Sequence, residues 1–258
     1  MTHPQQSAAA VDIRGAFKTY ANGTRALEPT DLTVREGEFV TIVGPSGCGK
    51  STLLRLISGL AAPTGGNITL SEPYRPPRLA YVFQAPTLLP WATVQANVRL
   101  PLDLAGHPRT AADAQTHEAL TRVGLRNFAG AYPRELSGGM QMRASIARAL
   151  VTGPRLLLMD EPFGALDEIN RNHLDREVSE LSAREQLTVL FVTHSIYEAV
   201  FLSSRVLVMS PRPGRIHAQI AINAPRPRSD SFRRTTEFAD YCAQVSDKLG
   251  AIMPEAEQ

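Results

Sequence analysis

The sequence predicts an α/β fold: strand-length apolar runs alternating with helices, opened by a β-hairpin and interrupted by a helical insertion. Three observations predict it. Short apolar runs, Phe39-Val40-Thr41-Ile42-Val43, Leu156-Leu157-Leu158-Met159 and Val189 to Val192, each lead through a loop into helical spacing, the pattern of buried strands joined by helices. Two further strand-like stretches, Ile13 to Tyr20 and Ala26 to Val34, flank Asn22-Gly23, a dipeptide suited to hairpin turns. From about residue 85 to 150 strand-like alternation disappears, and alanine and leucine recur at helical spacing.

Taken in order, Glu36-Gly37-Glu38 turns the hairpin into the Phe39–Val43 strand, and helical spacing follows from Leu53 to Ile57. Pro63-Thr64-Gly65-Gly66 precedes a short strand at Asn67 to Leu70; Pro73, Pro76 and Pro77 break the chain before a strand at Leu79 to Phe83. Within the insertion, helices are expected at Ala111 to Val123 and Met140 to Leu150. Strand Leu156–Met159, a helix near Glu168 to Arg184, strand Thr188–Thr193, a helix near Ile196 to Leu202 and strand Arg205–Met209 then complete the alternation. Pro211, Pro213 and Gly214 turn into a last strand near Arg215 to Ile220, and the basic tail from Asn223 becomes helical near Ser231 to Leu249.

With 258 residues and 43% hydrophobic content, the chain can bury a large core. Its 27 basic and 25 acidic residues leave a formal charge of +2, which gives no electrostatic argument for nucleic acid or an anionic membrane as partner. Cys48 and Cys242 are the two cysteines, and a structural disulfide between them is not expected, in keeping with a reducing cytoplasm. Met1 to Ala10 lack the basic and apolar regions of a signal peptide, and no stretch nears the roughly 18 apolar residues of a membrane span. A soluble chain is expected, with any membrane role supplied by a partner.

The chemistry starts at Gly44-Pro45-Ser46-Gly47-Cys48-Gly49-Lys50-Ser51-Thr52, between a predicted strand and a predicted helix. Glycines there let successive N–H groups curl around phosphate oxygens, and the helix presents its positive end to them. Lys50 is placed to reach β- and γ-phosphates and Ser51 to complete a Mg²⁺ shell. Asp160-Glu161 end an apolar strand at the edge where a ligand crevice is expected. Asp160 is read as holding Mg²⁺ and Glu161 as polarising water, against the plainer reading of solvated acids in a turn. His194 follows another apolar strand and should surface at the same edge, able to donate to a γ-phosphate oxygen, although a lone histidine after a strand is more often structural. Ser137-Gly138-Gly139, before a helical run, forms either a second anion-binding nest or an ordinary serine cap.

In this order the stations strongly resemble the ATP-binding cassette (ABC) ATPases, from about Ile13 to Ile220. The resemblance implies a P-loop NTPase core with a mixed sheet, an N-terminal antiparallel β subdomain and an inserted α-helical subdomain. It places the ABC ATPase domain at residues 11–222, the helical insertion at about 85–150, and a short helical tail at 223–258. It further implies that Tyr20 stacks on adenine, that Gln84 senses Mg²⁺ and the attacking water, and that Asp167 is the D-loop aspartate. Glu161, His194 and Gln84 become the catalytic set, and Ser51, Gln84 and Asp160 the metal set. Two positions depart from the pattern: Met140 stands where the signature commonly has Gln, with Gln141 following, and Gly164 replaces a common Ser. The first is expected to cost little; the second is expected to loosen a contact across the dimer.

In that family the signature of one subunit completes the ATP site of another, so a homodimer or a pair with a similar subunit is implied. Ala85-Pro86-Thr87-Leu88-Leu89-Pro90-Trp91 is implied to receive two membrane permease subunits near Leu88, Leu89 and Trp91, although these side chains could also pack beneath the insertion. Leu88 to Trp91, Asp160 to Asp167 and Ser210-Pro211-Arg212-Pro213-Gly214-Arg215-Ile216 resemble the nitrate, sulfonate and taurine importers. Glu168-Ile169 and Thr193 to Ile196 lean toward thiamine-precursor pyrimidine importers. The implied function is a peripheral ATPase on the cytoplasmic face of the membrane, fed indirectly by an extracytoplasmic binding protein, with no nucleic-acid partner. The alternative is a non-transport cassette such as an iron–sulfur assembly factor; a P-loop kinase or GTPase is opposed by Ser137-Gly138-Gly139. Cys48 beside Lys50 raises a secondary expectation of a reactive thiolate, against the plainer view of a position that tolerates small residues.

Overall fold

The computed structural model describes residues 8–76 and 78–252. The expected absence of a signal at the extreme N-terminus, the break at Pro77 and the last residues of the tail lie wholly or partly outside this range.

Three parallel strands form the centre: β3 (Phe39–Val43), β7 (Thr188–Val192) and β8 (Arg205–Met209), with β3 between the other two. Both faces of β3 are covered, which is why it reads as an unbroken apolar run rather than an alternating one. Successive residues still point to opposite faces. Phe39 and Val43 pack with the helices on one side; Val40 and Ile42 pack on the other with the N-terminal strands and the first helix. The sheet extends through β6 (Leu156–Asp160) to β5 (Leu79–Val82) on one edge, and ends on the other in β9 (Ile216–Ala221), its antiparallel member.

A second sheet has the order β2-β1-β4, with β1 (Ala9–Thr19), β2 (Arg25–Arg35) and β4 (Gly65–Leu70) all antiparallel. The expected hairpin is present, and β1 starts earlier than Ile13 because Ala9 pairs with Arg35. The alanine-rich head carried no alternation by which to find that pairing.

Helix α1 (Lys50–Ile57) leaves β3 through the glycine loop. Between β5 and β6 lie α2 (Val94–Leu104), α3 (Arg109–Arg122) and α4 (Gly138–Leu150). Sequence periodicity missed α2, since Pro101 lies inside it and reads as a breaker. The helix forms nonetheless, capped by Thr93, whose Oγ1 accepts from Ala96 N at 3.2 Å, and packed on α3 and α4 through Val98 and Leu102. Helix α5 (Glu168–Arg184) and α6 (Ile196–Leu202) fall where the sequence placed them.

The tail begins with a short 3₁₀ turn (Phe232–Arg234) and continues as α7 (Thr236–Gly250), which packs on α6, β8 and β9. It is joined to the core by buried arginine. Arg228 donates to the carbonyls of Val200, Phe201 and Ser203 at 2.7–2.9 Å, satisfying the end of α6, and to Ala224 O at 2.8 Å. Burial pulls its guanidinium down to about 10, so it remains a cation at neutral pH. Among the described residues, no helix is long and apolar enough to cross a membrane.

Candidate nucleotide site

Residues 44–49 connect β3 to α1 as a tight arch, and Lys50, Ser51 and Thr52 open the helix. Gly49 caps α1 with φ +108°, and a Cβ there would lie 2.7 Å from the Ala26 carbonyl oxygen, so glycine is required on both conformational and steric grounds. Lys50 is buried, its Nζ donating to Gly44 O at 2.9 Å and Pro45 O at 3.0 Å. These backbone acceptors hold the ammonium beneath the arch, where it can transfer to a phosphate. A cavity of about 350 Å³ opens here, lined by Lys50, Ser51, Thr52, Gly47, Glu161 and Tyr20. Tyr20 lies just past the end of β1, half-exposed, with its OH 3.2 Å from Thr52 Oγ1.

The end of β6 supplies the acids. Ser51 Oγ donates to Asp160 Oδ1 at 2.8 Å and Tyr81 OH donates to Asp160 Oδ2 at 3.0 Å. Tyr81 is a partner that the motifs did not reveal; its ring follows from strand register alone, Tyr81 pairing with Leu158. Desolvation is the larger cause of the upward shift of its phenol, with Asp160 reinforcing it, so the hydroxyl stays protonated and donating. Ser51 and Asp160 fit Mg²⁺ by their chemistry, being hard oxygen donors on adjacent elements. Among the described residues no three His, Cys, Asp or Glu side chains gather into a metal cluster.

Glu161 adopts φ +48°, an uncommon conformation for a non-glycine residue, while its N–H donates to Val192 O at 2.9 Å. Such strain costs about 1–3 kcal/mol and collects at functional positions. The turn aims the carboxylate along the sheet edge. His194 Nε2 lies 2.6 Å from Glu161 Oε1, Lys50 Nζ 3.9 Å from the same oxygen, and Gln84 Nε2 3.4 Å from Oε2. Glu161, His194, Gln84 and Lys50 are thus brought together, although they come from the start of α1 and the segments after β5, β6 and β7.

Ser137, Gly138 and Gly139 are not brought to that cavity. Ser137 caps α4, accepting from Met140 N at 3.3 Å, on an exposed part of the surface. The departures at 140 and 141 have distinct local roles: Met140 packs against the core, and Gln141 Nε2 donates to Pro133 O at 3.0 Å and Leu136 O at 3.3 Å, closing the approach to the cap. Asp167 caps α5, accepting from Asn170 N at 3.0 Å and Nδ2 at 2.6 Å. The backbone bond from Asn170, then its side chain, draws that carboxyl below its ordinary range. Gly164 is exposed, and its N–H donates to Glu161 O at 3.2 Å.

The loop after Gln84 is held by two residues absent from the motif reading. Arg148, near the end of α4, donates to Pro86 O at 2.9 Å and to Thr87 O and Oγ1 at 2.8 Å. Asn97, fully buried on α2, accepts from Leu89 N at 2.6 Å and donates to the carbonyls of Leu89, Ala92 and Thr93 at 3.0–3.1 Å. The expected apolar surface divides here: Leu88 packs against the core, Leu89 is half-buried, and Trp91 stands 75% exposed.

The expectation of a reactive Cys48 does not survive. Its side chain is buried, and desolvation raises the thiol's pKa more than Lys50 lowers it, so the thiolate is disfavoured.

The ABC transporter family profile matches residues 27–164. A Brucella abortus chain named as an ATP-binding protein is 42% identical over 241 residues, covering 92% of each chain. The aliphatic sulfonates import ATP-binding protein SsuB of Rhodopseudomonas palustris is 46% identical over 229 residues, 88% of this chain and 79% of its own. The Bacillus cereus protein of that name is 40% identical over 250 residues, 94% and 98% respectively. Among solved structures, a dimeric ATP-binding cassette in a post-hydrolysis state with ADP and Pi superposes with a TM-score of 0.73 at 32% identity, covering 83% of this chain and all of that one. With a profile match over more than half its length and relatives this similar along nearly all of it, the chain belongs to the ABC transporter ATPases.

Proposed function

We propose that two copies of this chain, or one copy and a similar subunit, close around ATP and drive a pair of membrane permease subunits that import a small solute of the sulfonate, nitrate or taurine type. The observation that carries this reading is a division of labour. Lys50, Ser51, Glu161 and Tyr20 line one cavity, whereas none of the described residues lining it comes from the Ser137–Gly139 cap. A serine hydroxyl and free N–H groups at the start of a 13-residue helix suit a phosphate supplied from outside the subunit.

Within the site, Lys50 exchanges the carbonyls of Gly44 and Pro45 for β- and γ-phosphate oxygens, and Tyr20 stacks on the base. Ser51 and Asp160, with Gln84, would hold Mg²⁺, which when bound neutralises charge on the phosphates. Glu161 accepts a proton from the attacking water through Oε2. His194 holds Oε1, and Gln84 steadies the water beside Oε2. Asp167 lies beyond the cavity at the start of α5, where it would face the partner subunit. The subunit would sit on the cytoplasmic face of the membrane, with Trp91 offered to the permease. The solute class rests on the sulfonate importers at 40–46% identity.

Reconstitution with the permease pair tests the reading. ATP-dependent uptake of an alkanesulfonate or taurine is expected, and Glu161→Gln should retain ATP binding while uptake stops. Hydrolysis without uptake of any small sulfonate, nitrate or taurine would refute the solute class; undiminished turnover by Glu161→Gln would refute the catalytic assignment.

A further inference from the structure

The segment joining β8 to β9 is laid directly over the phosphate loop. A Cβ on Gly214 would fall 1.9 Å from the Cys48 carbonyl oxygen, and one on Gly44 would meet Met209 O at 2.6 Å. The two backbones therefore approach more closely than any side chain would permit. On its other flank Gly214 pairs with β2, donating to Ala26 O at 3.1 Å and accepting from Glu28 N at 2.9 Å. Pinned from both sides, the segment presents Arg212 to the cavity that also contains Lys50, Ser51 and Thr52.

Arg212 Nε donates to Gly47 O at 3.0 Å, and its Nη2 would lie 3.2 Å from a Cβ on Gly47, so the guanidinium lies across the crown of the arch. That bond uses one of five N–H donors. Among the described residues, the guanidinium makes no ion pair with a carboxylate. Lys50 is the other cation on the cavity wall, while a nucleoside triphosphate brings several negative charges. A planar fork with unused donors matches phosphate oxygens better than it matches a single backbone carbonyl.

We propose that Arg212 is a second cationic ligand for the nucleotide's phosphate chain, delivered by the β8–β9 connection of the same subunit. This rests on the reading of the cavity as an ATP site. On this account, the Ser210–Arg215 segment is a wall of the nucleotide site and not merely a marker of a subfamily. Its arginine joins Lys50 on the wall of one cavity, so a single subunit offers the phosphates two cations before any partner docks.

Equilibrium binding of Mg-ATP to the full-length chain at low and high salt tests this. Arg212→Gln removes the charge but keeps an N–H donor for Gly47 O, while Arg212→Lys keeps the charge. The Gln variant should bind about 5- to 10-fold more weakly, as expected for a charge-assisted contact discounted for exposure, and with a shallower salt dependence. The Lys variant should fall between the two, keeping the parent's salt dependence through its charge but losing the paired contacts of the fork. Parent-like binding by Arg212→Gln would overturn the proposal, as would a loss that keeps the parent's salt dependence, because Arg212 would then only brace Gly47. Lys50→Ala is the control: if the parent binds no ATP, or Lys50→Ala binds as the parent does, the reading of the cavity itself fails instead.

Discussion

Replacing Arg233 with Met should cost stability in a pH-dependent way. The 3₁₀ turn of the tail places Arg233 over the Phe201 ring at 3.8 Å, with Nη2 2.7 Å from Asp175 Oδ2. Asp175 is fully buried on α5, and its Oδ1 has no hydrogen-bond partner among the described residues. Glu198 on α6 is its buried neighbour, accepting from the Thr193 hydroxyl and lying 3.4 Å from Arg171 Nε. Burial pushes the Asp175 carboxyl up to about 6 from its ordinary 3.8, against the pull of Arg233 and Arg171. Burial likewise pushes Glu198 up to about 7, with Asp175 adding to the rise.

Removing one member of a buried pair costs about 3–5 kcal/mol. Arg233 retains 16% side-chain accessibility, and Arg171 remains as a second cation. About 2–3 kcal/mol at about pH 8 is therefore expected. The sign follows from proton counting. A carboxyl whose folded pKa exceeds its unfolded value binds more protons in the folded chain, so its stabilising contribution is complete in acid and disappears as pH rises through the folded value. Without Arg233 that value moves higher, so the deficit opens with pH, by about 1.4 kcal/mol for each unit of further rise. Urea denaturation at about pH 5.5 and about pH 8 reads it directly, since Asp175 should be mostly protonated at the lower value in the variant. A deficit below about 1 kcal/mol at the higher pH, or one equal at both, would refute the reasoning.

Trp91→Ala should leave ATP binding unchanged and weaken co-purification with the permease pair; an undiminished complex would remove Trp91 from the docking surface. Asn97→Ala should destabilise the chain by about 1–3 kcal/mol in chemical denaturation, because several backbone groups of the 89–93 turn lose their partner. A change below about 0.5 kcal/mol would show that the turn holds without it. Cys48 should resist iodoacetamide near pH 7.5 in the native protein and react after unfolding, because burial disfavours its thiolate; rapid native alkylation at Cys48 would contradict that.

The strands at 39–43, 156–160 and 188–192 were legible because all their residues are buried, leaving unbroken apolar runs. The phosphate loop was legible for a related reason: glycine positions, lysine and hydroxyls are local requirements of a single turn. Helix α2 was hidden by Pro101, whose local preference is overridden by packing of Val98 and Leu102. Asn97, Arg148 and Arg228 escaped notice because each acts on backbone groups that carry no side-chain signature, and Arg212 was read only as part of a subfamily resemblance, not as a neighbour of the phosphate loop. Arg212 and Gly47 are 165 positions apart in the chain, and only the folded sheet brings them together. The sequence shows a basic, helical tail but not its docking site; Arg228 and Arg233 place it against the helix that follows His194. Arginines that end inside a core look the same in sequence as arginines that end in water.

Sedimentation velocity of Glu161→Gln, with and without Mg-ATP, puts the shared site to its most direct trial. A nucleotide-dependent shift from monomer to dimer is expected, abolished when Ser137→Arg is added to the same chain. A monomer at saturating ATP, or a dimer indifferent to Ser137→Arg, would contradict a site divided between the lysine loop of one subunit and the serine cap of another.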